Sequence, residues 1–159
     1  MFDFPGNLVD VDPEYAAEEG YCLYCDIYCT MGKVGFHETH DGQVVKFYAD
    51  RFHHAFCKSS DYYLKPKAKD VLDHRRIERV RWIKAMIAGD GRAVQCFEVA
   101  KADRDKAIRN RLYFNFDISY VVWLEPSTRS QQCRWVFSTA YPTFPDHIRK
   151  YIRGGKRVL

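Results

Sequence analysis

The chain reads as an α+β protein: two helices packed on a four-stranded antiparallel sheet, with a C-terminal helix and an N-terminal Cys/His hairpin appendage. Three observations predict this. Two helical stretches, each preceded by an aspartate, lie between Asp50 and Gly89; the pattern then switches to period two from Ala93 to Tyr141; and turn residues separate the apolar runs.

Met1 to Gly20 shows little periodicity, contains Pro5, Gly6 and Pro13, and reads as an acidic lead-in. "YCLYCDIYC" follows, then two short strands around Val34–Thr39 and Val44–Tyr48, turned by Asp41-Gly42, a favoured hairpin dipeptide. Asp50 can cap a first helix through "RFHHAFCKS", because its carboxylate can accept from orphan backbone N–H groups. "SDYYLKPKAKDV" reads as a loop broken by Pro66. Asp73 caps a second helix, "HRRIERVRWIKAMIAG", in which Ile77, Val80, Ile83 and Ile87 recur at helical spacing and Gly89 ends the run. Strands follow at Ala93–Ala100, Arg109–Asp117, Ile118–Glu125 and Gln132–Tyr141, with a turn at Pro126-Ser127-Thr128. "PDHIRKYIR" closes the chain as a short helix with a basic tail. The expected division is an appendage over residues 1–40 and a main domain over residues 41–159.

The net charge of +4 hides a sharp partition. Residues 1–32 hold seven acids and no Lys or Arg; the rest carries all 25 bases against 14 acids, a net of +11. Such a surplus favours a polyanionic partner, because each phosphate neutralised releases counterions. No apolar run reaches a membrane span and no signal-peptide pattern opens the sequence, so the expectation is a cytoplasmic protein with reduced thiols and no membrane partner. Acids after Lys33 are scattered, without the tight pair that a two-metal nuclease needs. "GDGRA" lacks the lysine and hydroxyl of a phosphate-binding loop, and there is no nucleophile elbow.

Alternation sorts the strand faces. Leu112, Phe114 and Phe116 face one way, with Arg109, Arg111, Tyr113 and Asn115 opposite; Trp135 and Phe137 oppose Arg134, Val136 and Ser138. One sheet face is therefore expected to lie under helices, while the other offers Arg111 and Arg134 to phosphates and Tyr113 to a base. Lys84, after Trp82, is a further candidate phosphate ligand.

Near the start, Cys22, Cys25 and Cys29 precede His37 and His40. A CxxC knuckle followed by HxxH across a hairpin can supply Cys22, Cys25, His37 and His40 to a structural zinc, with Cys29 as a competing ligand. The alternatives are reduced core or surface thiols, or redox chemistry.

"RFHHAF", "RIERVRWIKAMI" and "VFSTAYP", in that order, resemble segments of the barnase, EndoU, colicin and RelE-like nuclease superfamily, especially its phage- and plasmid-associated branches. The resemblance spans about Tyr48 to Tyr151. It implies a nuclease domain that cleaves RNA without a catalytic cofactor: the 2′-OH attacks its own phosphodiester, leaving a 2′,3′-cyclic phosphate. The matching helical histidine is His54 rather than its neighbour His53, which points about 100° away. Ser138, Thr139 and Tyr141 match the terminal motif and would serve the phosphate. The resemblance also implies an RNA partner and, for a toxin-like effector, an antitoxin or immunity protein. Two other readings compete: an RNA- or DNA-binding module with a zinc knuckle that cuts nothing, and an interaction protein whose acidic N-terminus covers its own basic sheet.

Overall fold

The structure is a computed structural model, which describes residues 1–59, 71–100, 109–128 and 132–159. The expected loop after Ser59 falls largely outside these residues.

The four-stranded expectation is overturned. Among the described residues there are five α-helices, a seven-stranded mixed sheet and a separate two-stranded sheet. The helices are α1 (Ala16–Tyr28), α2 (Arg51–Phe56), α3 (His74–Ile77), α4 (Trp82–Ile87) and α5 (Pro145–Ile152). The large sheet contains β1 (Val34–Glu38), β2 (Val44–Tyr48), β5 (Val94–Ala100), β6 (Arg109–Asn115), β7 (Tyr120–Pro126), β8 (Trp135–Pro142) and β9 (Lys156–Arg157). The small one pairs β3 (Cys57–Lys58) with β4 (Val71–Leu72).

The order across the large sheet is β1-β2-β8-β7-β6-β5-β9. Its centre is the expected antiparallel run β5-β6-β7-β8. The additions come from the ends of the chain. Hairpin β1–β2 joins through a short parallel pairing, Val45 with Trp135 and Lys46 with Val136, and β9 lines the far edge of β5. The division at residue 40 passes through the turn of that hairpin, where Gly42 takes φ +74°. Strand β8 thus lies between β7, the strand before it in sequence, and β2, about 90 residues earlier.

Residues 1–15 are irregular apart from a 3-10 turn at Pro5–Asn7, but helix α1 takes in Ala16–Gly20 of the expected lead-in and stands where the knuckle was expected. Glu18 and Glu19 sit in its first turn, where negative charge suits the helix dipole. Ala16, Gly20, Tyr24 and Tyr28, four apart, form its buried stripe. Tyr28 donates to the Val80 carbonyl (2.6 Å) and accepts from the Lys84 amide (3.0 Å), tying α1 to α4. Gly35 is required where α1 ends against β1: a Cβ there would lie 1.8 Å from the Tyr28 carbonyl oxygen. The expected single helix over residues 74–89 is two pieces. Asp73 does cap α3, accepting from the Arg75 amide, whereas the Asp50 side chain makes no cap bond to α2.

Helices α1 to α4 cover the inner face of the sheet, burying Val45, Phe47, Tyr113, Val122, Leu124 and Phe137. Phe47 stacks between Tyr28 (centroids 4.6 Å apart) and Phe137 (5.0 Å). On the outer face, Ile148 of α5 packs with Phe97, Val99, Leu112, Phe114 and Val121. That cover does not include β1 and β2. No described helix is long and apolar enough to cross a membrane.

Candidate functional site at the fork between β2 and β8

Strand β2 stays beside β8 for two residue pairs only, then turns away through Ala49 and Asp50 into α2. The fork this opens is occupied by α2, which lies along the freed edge of β8. The carbonyl of Ala55 accepts from Arg76 Nη1 (3.0 Å) and from Thr139 Oγ1 (3.4 Å), and the Arg76 guanidinium sits 5.0 Å from the centre of the Tyr141 ring.

An open cleft of about 470 Å³ lies at the fork, lined by Tyr48, Asp50, Arg51, His54, Glu125 and Val136 together with the turn after β7. Among its lining residues, Glu125 makes the most polar contacts. One carboxylate oxygen lies 3.7 Å from Arg51 Nη2, and the other accepts from Ser138 Oγ at 3.1 Å. Ser138 reaches it because β8 bulges: Trp123 faces Thr139 and Leu124 faces Phe137, leaving Ser138 as the extra residue. A second hollow of about 280 Å³ adjoins, with Glu125, Ser138, Thr139, Tyr141, Trp123 and Tyr151 among its lining. Glu125 therefore belongs to both. Trp123 Nε1 donates to the Tyr141 hydroxyl (3.2 Å); burial raises that phenol above its ordinary range, and the indole donor offsets this in part.

The histidine expectation and the hydroxyl expectation thus meet at one place. His54 lines the cleft, whereas His53 turns its Nδ1 toward Cys57 Sγ, 3.7 Å away. Ser138 touches the Glu125 carboxylate, and Thr139 and Tyr141 line the adjoining hollow.

Other expected site residues lie elsewhere. Arg111 and Tyr113 are on the inner face under the helices, 1% and 0% exposed. Register explains the error: Arg111 pairs with Leu124, which pairs with Phe137, so Arg111 shares a face with buried Phe137 and not with Val136. Arg111 makes hydrogen bonds with both oxygens of Asp41 (2.8 and 3.0 Å) and with Glu98 (2.8 Å). Burial opposes the charge on Arg111, but those carboxylates outweigh it and hold the guanidinium above its ordinary pKa. Burial likewise opposes ionisation of Asp41, and Arg111 and Thr39 overcome it, leaving the carboxyl at about 2. Lys84 lies in the helix layer and lines neither hollow. Arg134 is exposed, with its guanidinium 5.8 Å from the Trp135 ring; its carbonyl accepts from the amide of Ser127, a residue of the cleft.

The expected zinc ligands are also dispersed. Cys22 and Cys25 are on α1, and Cys29 caps it. His37 Nε2 bonds the Tyr28 carbonyl at 3.2 Å, and burial lowers its pKa. His40 lies between the Tyr113 hydroxyl (2.8 Å) and the Val158 carbonyl (3.1 Å). Among the described residues no three His, Cys, Asp or Glu side chains gather as a metal-ligand group.

Sequence reasoning missed Arg51, Glu125 and Tyr48. A signal existed for Glu125: alternation with Val121 and Trp123 sets it on the outer face, one residue before a proline. Arg51 and Tyr48 flank the β2–α2 junction, and only the parallel pairing of β2 with β8 carries them to Glu125. Chemically, the cleft combines a carboxylate, an imidazole and a guanidinium, which can accept a proton, deliver one and stabilise developing negative charge. No protein-family model, curated protein or solved structure matches the chain.

Proposed function

We propose that the protein is an endoribonuclease that cleaves single-stranded RNA by 2′-OH attack at the fork cleft. The observation that carries this reading is the meeting of Glu125, Arg51 and His54 in one open cleft, with the hydroxyl-rich end of β8 against Glu125. The net of +11 beyond residue 32, from 25 bases and 14 acids, supports a polyanionic substrate.

In this mechanism the Glu125 carboxylate takes the proton from the 2′-OH, and Ser138 orients it. The 2′ oxygen forms a bond to phosphorus as the bond from phosphorus to the 5′ oxygen breaks. The protonated imidazole of His54 delivers its proton to that departing oxygen. Arg51 binds the non-bridging oxygens, whose charge grows in the phosphorane. Products are a 2′,3′-cyclic phosphate and a 5′-hydroxyl. Thr139 and Tyr141, in the adjoining hollow, are placed to hold a flanking nucleotide.

The test is incubation with single-stranded RNA in EDTA, followed by analysis of the new ends. Cyclic phosphates and 5′-hydroxyls are expected, with Glu125→Gln and His54→Ala each slowing cleavage by about 10²- to 10⁴-fold. RNA that is retained but stays intact would leave a binding module and defeat the proposal.

A further inference from the structure

The outer face of hairpin β1–β2 continues the cleft, and no described helix packs on it. Phe36 is 57% exposed there, opposite Lys46 in the antiparallel register, while Val34 lies opposite Tyr48. The Lys46 ammonium lies 4.8 Å from the centre of the Tyr48 ring and 5.9 Å from that of Phe36. A large aromatic open to water on an edge strand contributes nothing to the core, yet here two rings flank one cation. The patch runs directly into the cleft: Tyr48 lines the cleft itself, and Lys46 pairs with Val136, another lining residue.

We propose that Phe36, Lys46 and Tyr48 form a stacking platform for the bases of single-stranded RNA on one side of the scissile bond. This rests on the ribonuclease reading of the cleft. The rings offer π faces that any base can cover, and the ammonium between them meets the phosphate linking two stacked nucleotides. Continuity with the cleft and the cation set within the face favour a nucleic-acid chain over an apolar protein segment. Because stacking reads no base edge, the platform lengthens the bound RNA without choosing its sequence.

The experiment uses a fluorescent 2′-O-methyl oligouridine of about twelve nucleotides, which cannot be cut, and reads binding by anisotropy. Phe36→Ala and Lys46→Glu are each expected to weaken binding about tenfold, and Lys46→Glu to lower the salt slope by about one. Phe36→Trp should restore or tighten binding, which a merely structural loss would not predict. Lys84→Glu, the same charge change in the helix layer, should shift affinity less than about twofold. An unchanged affinity in Phe36→Ala overturns the platform. So does a Lys84→Glu loss equal to that of Lys46→Glu, or a dimer in sedimentation that Phe36→Ala abolishes while oligonucleotide affinity stays. Cleavage of unmodified RNA is scored separately. Platform-dependent binding without cleavage removes the catalytic reading and keeps the platform; cleavage with an indifferent platform does the reverse.

Discussion

Arg111 on the inner face and Arg51 beside the outer one both meet carboxylates, in opposite conditions. Arg111 is buried, with the Trp135 ring 4.9 Å from its guanidinium and both Asp41 oxygens and one from Glu98 within 3.0 Å. Arg51 holds Glu125 loosely, at 3.7 Å, with its side chain 27% exposed and that of Glu125 36% exposed. The first cluster engages both terminal nitrogens of its guanidinium, and the remaining Nε, which has no hydrogen-bond partner, is buried out of reach of a ligand. The second has hydrogen-bonding capacity to spare and faces a cleft. Residue type alone does not distinguish a structural arginine from one able to meet a phosphate; saturation and access do.

The contrast can be broken most directly at Arg111. Arg111→Met leaves the Asp41 and Glu98 carboxylates facing each other without their shared cation and is expected to cost about 3 kcal/mol of stability in urea unfolding. A loss below about 1 kcal/mol would show that water already screens the inner cluster, and the distinction between the faces would fail.

Acid probes the same cluster more gently. The Asp41 carboxyl is held at about 2 in the fold against an ordinary 3.8. A depressed pKa stabilises the fold above the unfolded value, and that contribution is lost as pH falls through the folded one. The full shift corresponds to roughly 2.4 kcal/mol. About a third of the Asp41 side chain is open to water, so screening reduces the expectation to about 1 kcal/mol. Wild type should therefore exceed Asp41→Asn by about that much at pH 5, with the gap closing toward pH 2. A gap that widens in acid would reverse the assignment.

The smallest effect is expected at the outer pair. A double-mutant cycle with Arg51→Ala and Glu125→Gln should give a coupling in stability below about 0.5 kcal/mol. Coupling above about 1.5 kcal/mol would make this pair structural too and remove the contrast between the two arginines.

What could be read beforehand follows from range along the chain. Period-two alternation correctly separated Arg111 and Tyr113 from Leu112 and Phe114, and Trp135 and Phe137 from Val136, because neighbours on one strand decide it. Joining Arg111 to the face of Arg134 and Ser138 failed, because the match between strands is set by non-local register and by a bulge at Ser138. Helix α1 was hidden because half of its buried stripe is Ala16 and Gly20, which carry almost no hydropathy signal. The entry of β2 into the sheet was illegible for the same reason as the cleft: two residue pairs carry it, between segments far apart in the chain. His54 and the β8 hydroxyls could be singled out as candidates from the sequence; that Glu125 and Arg51 lie beside them needed the fold.

The placement of β8 between β2 and β7 has a consequence for how the protein is made. On the ribosome, hairpin β1–β2 emerges about 90 residues ahead of the strand it pairs with. Until then one of its edges has no partner, and Tyr48 and Arg51 have no Glu125 held opposite them by Val136 and Ser138. Translation products that stop before residue 135 lack the strand that walls the cleft, so the cleft takes shape only once β8 has been made.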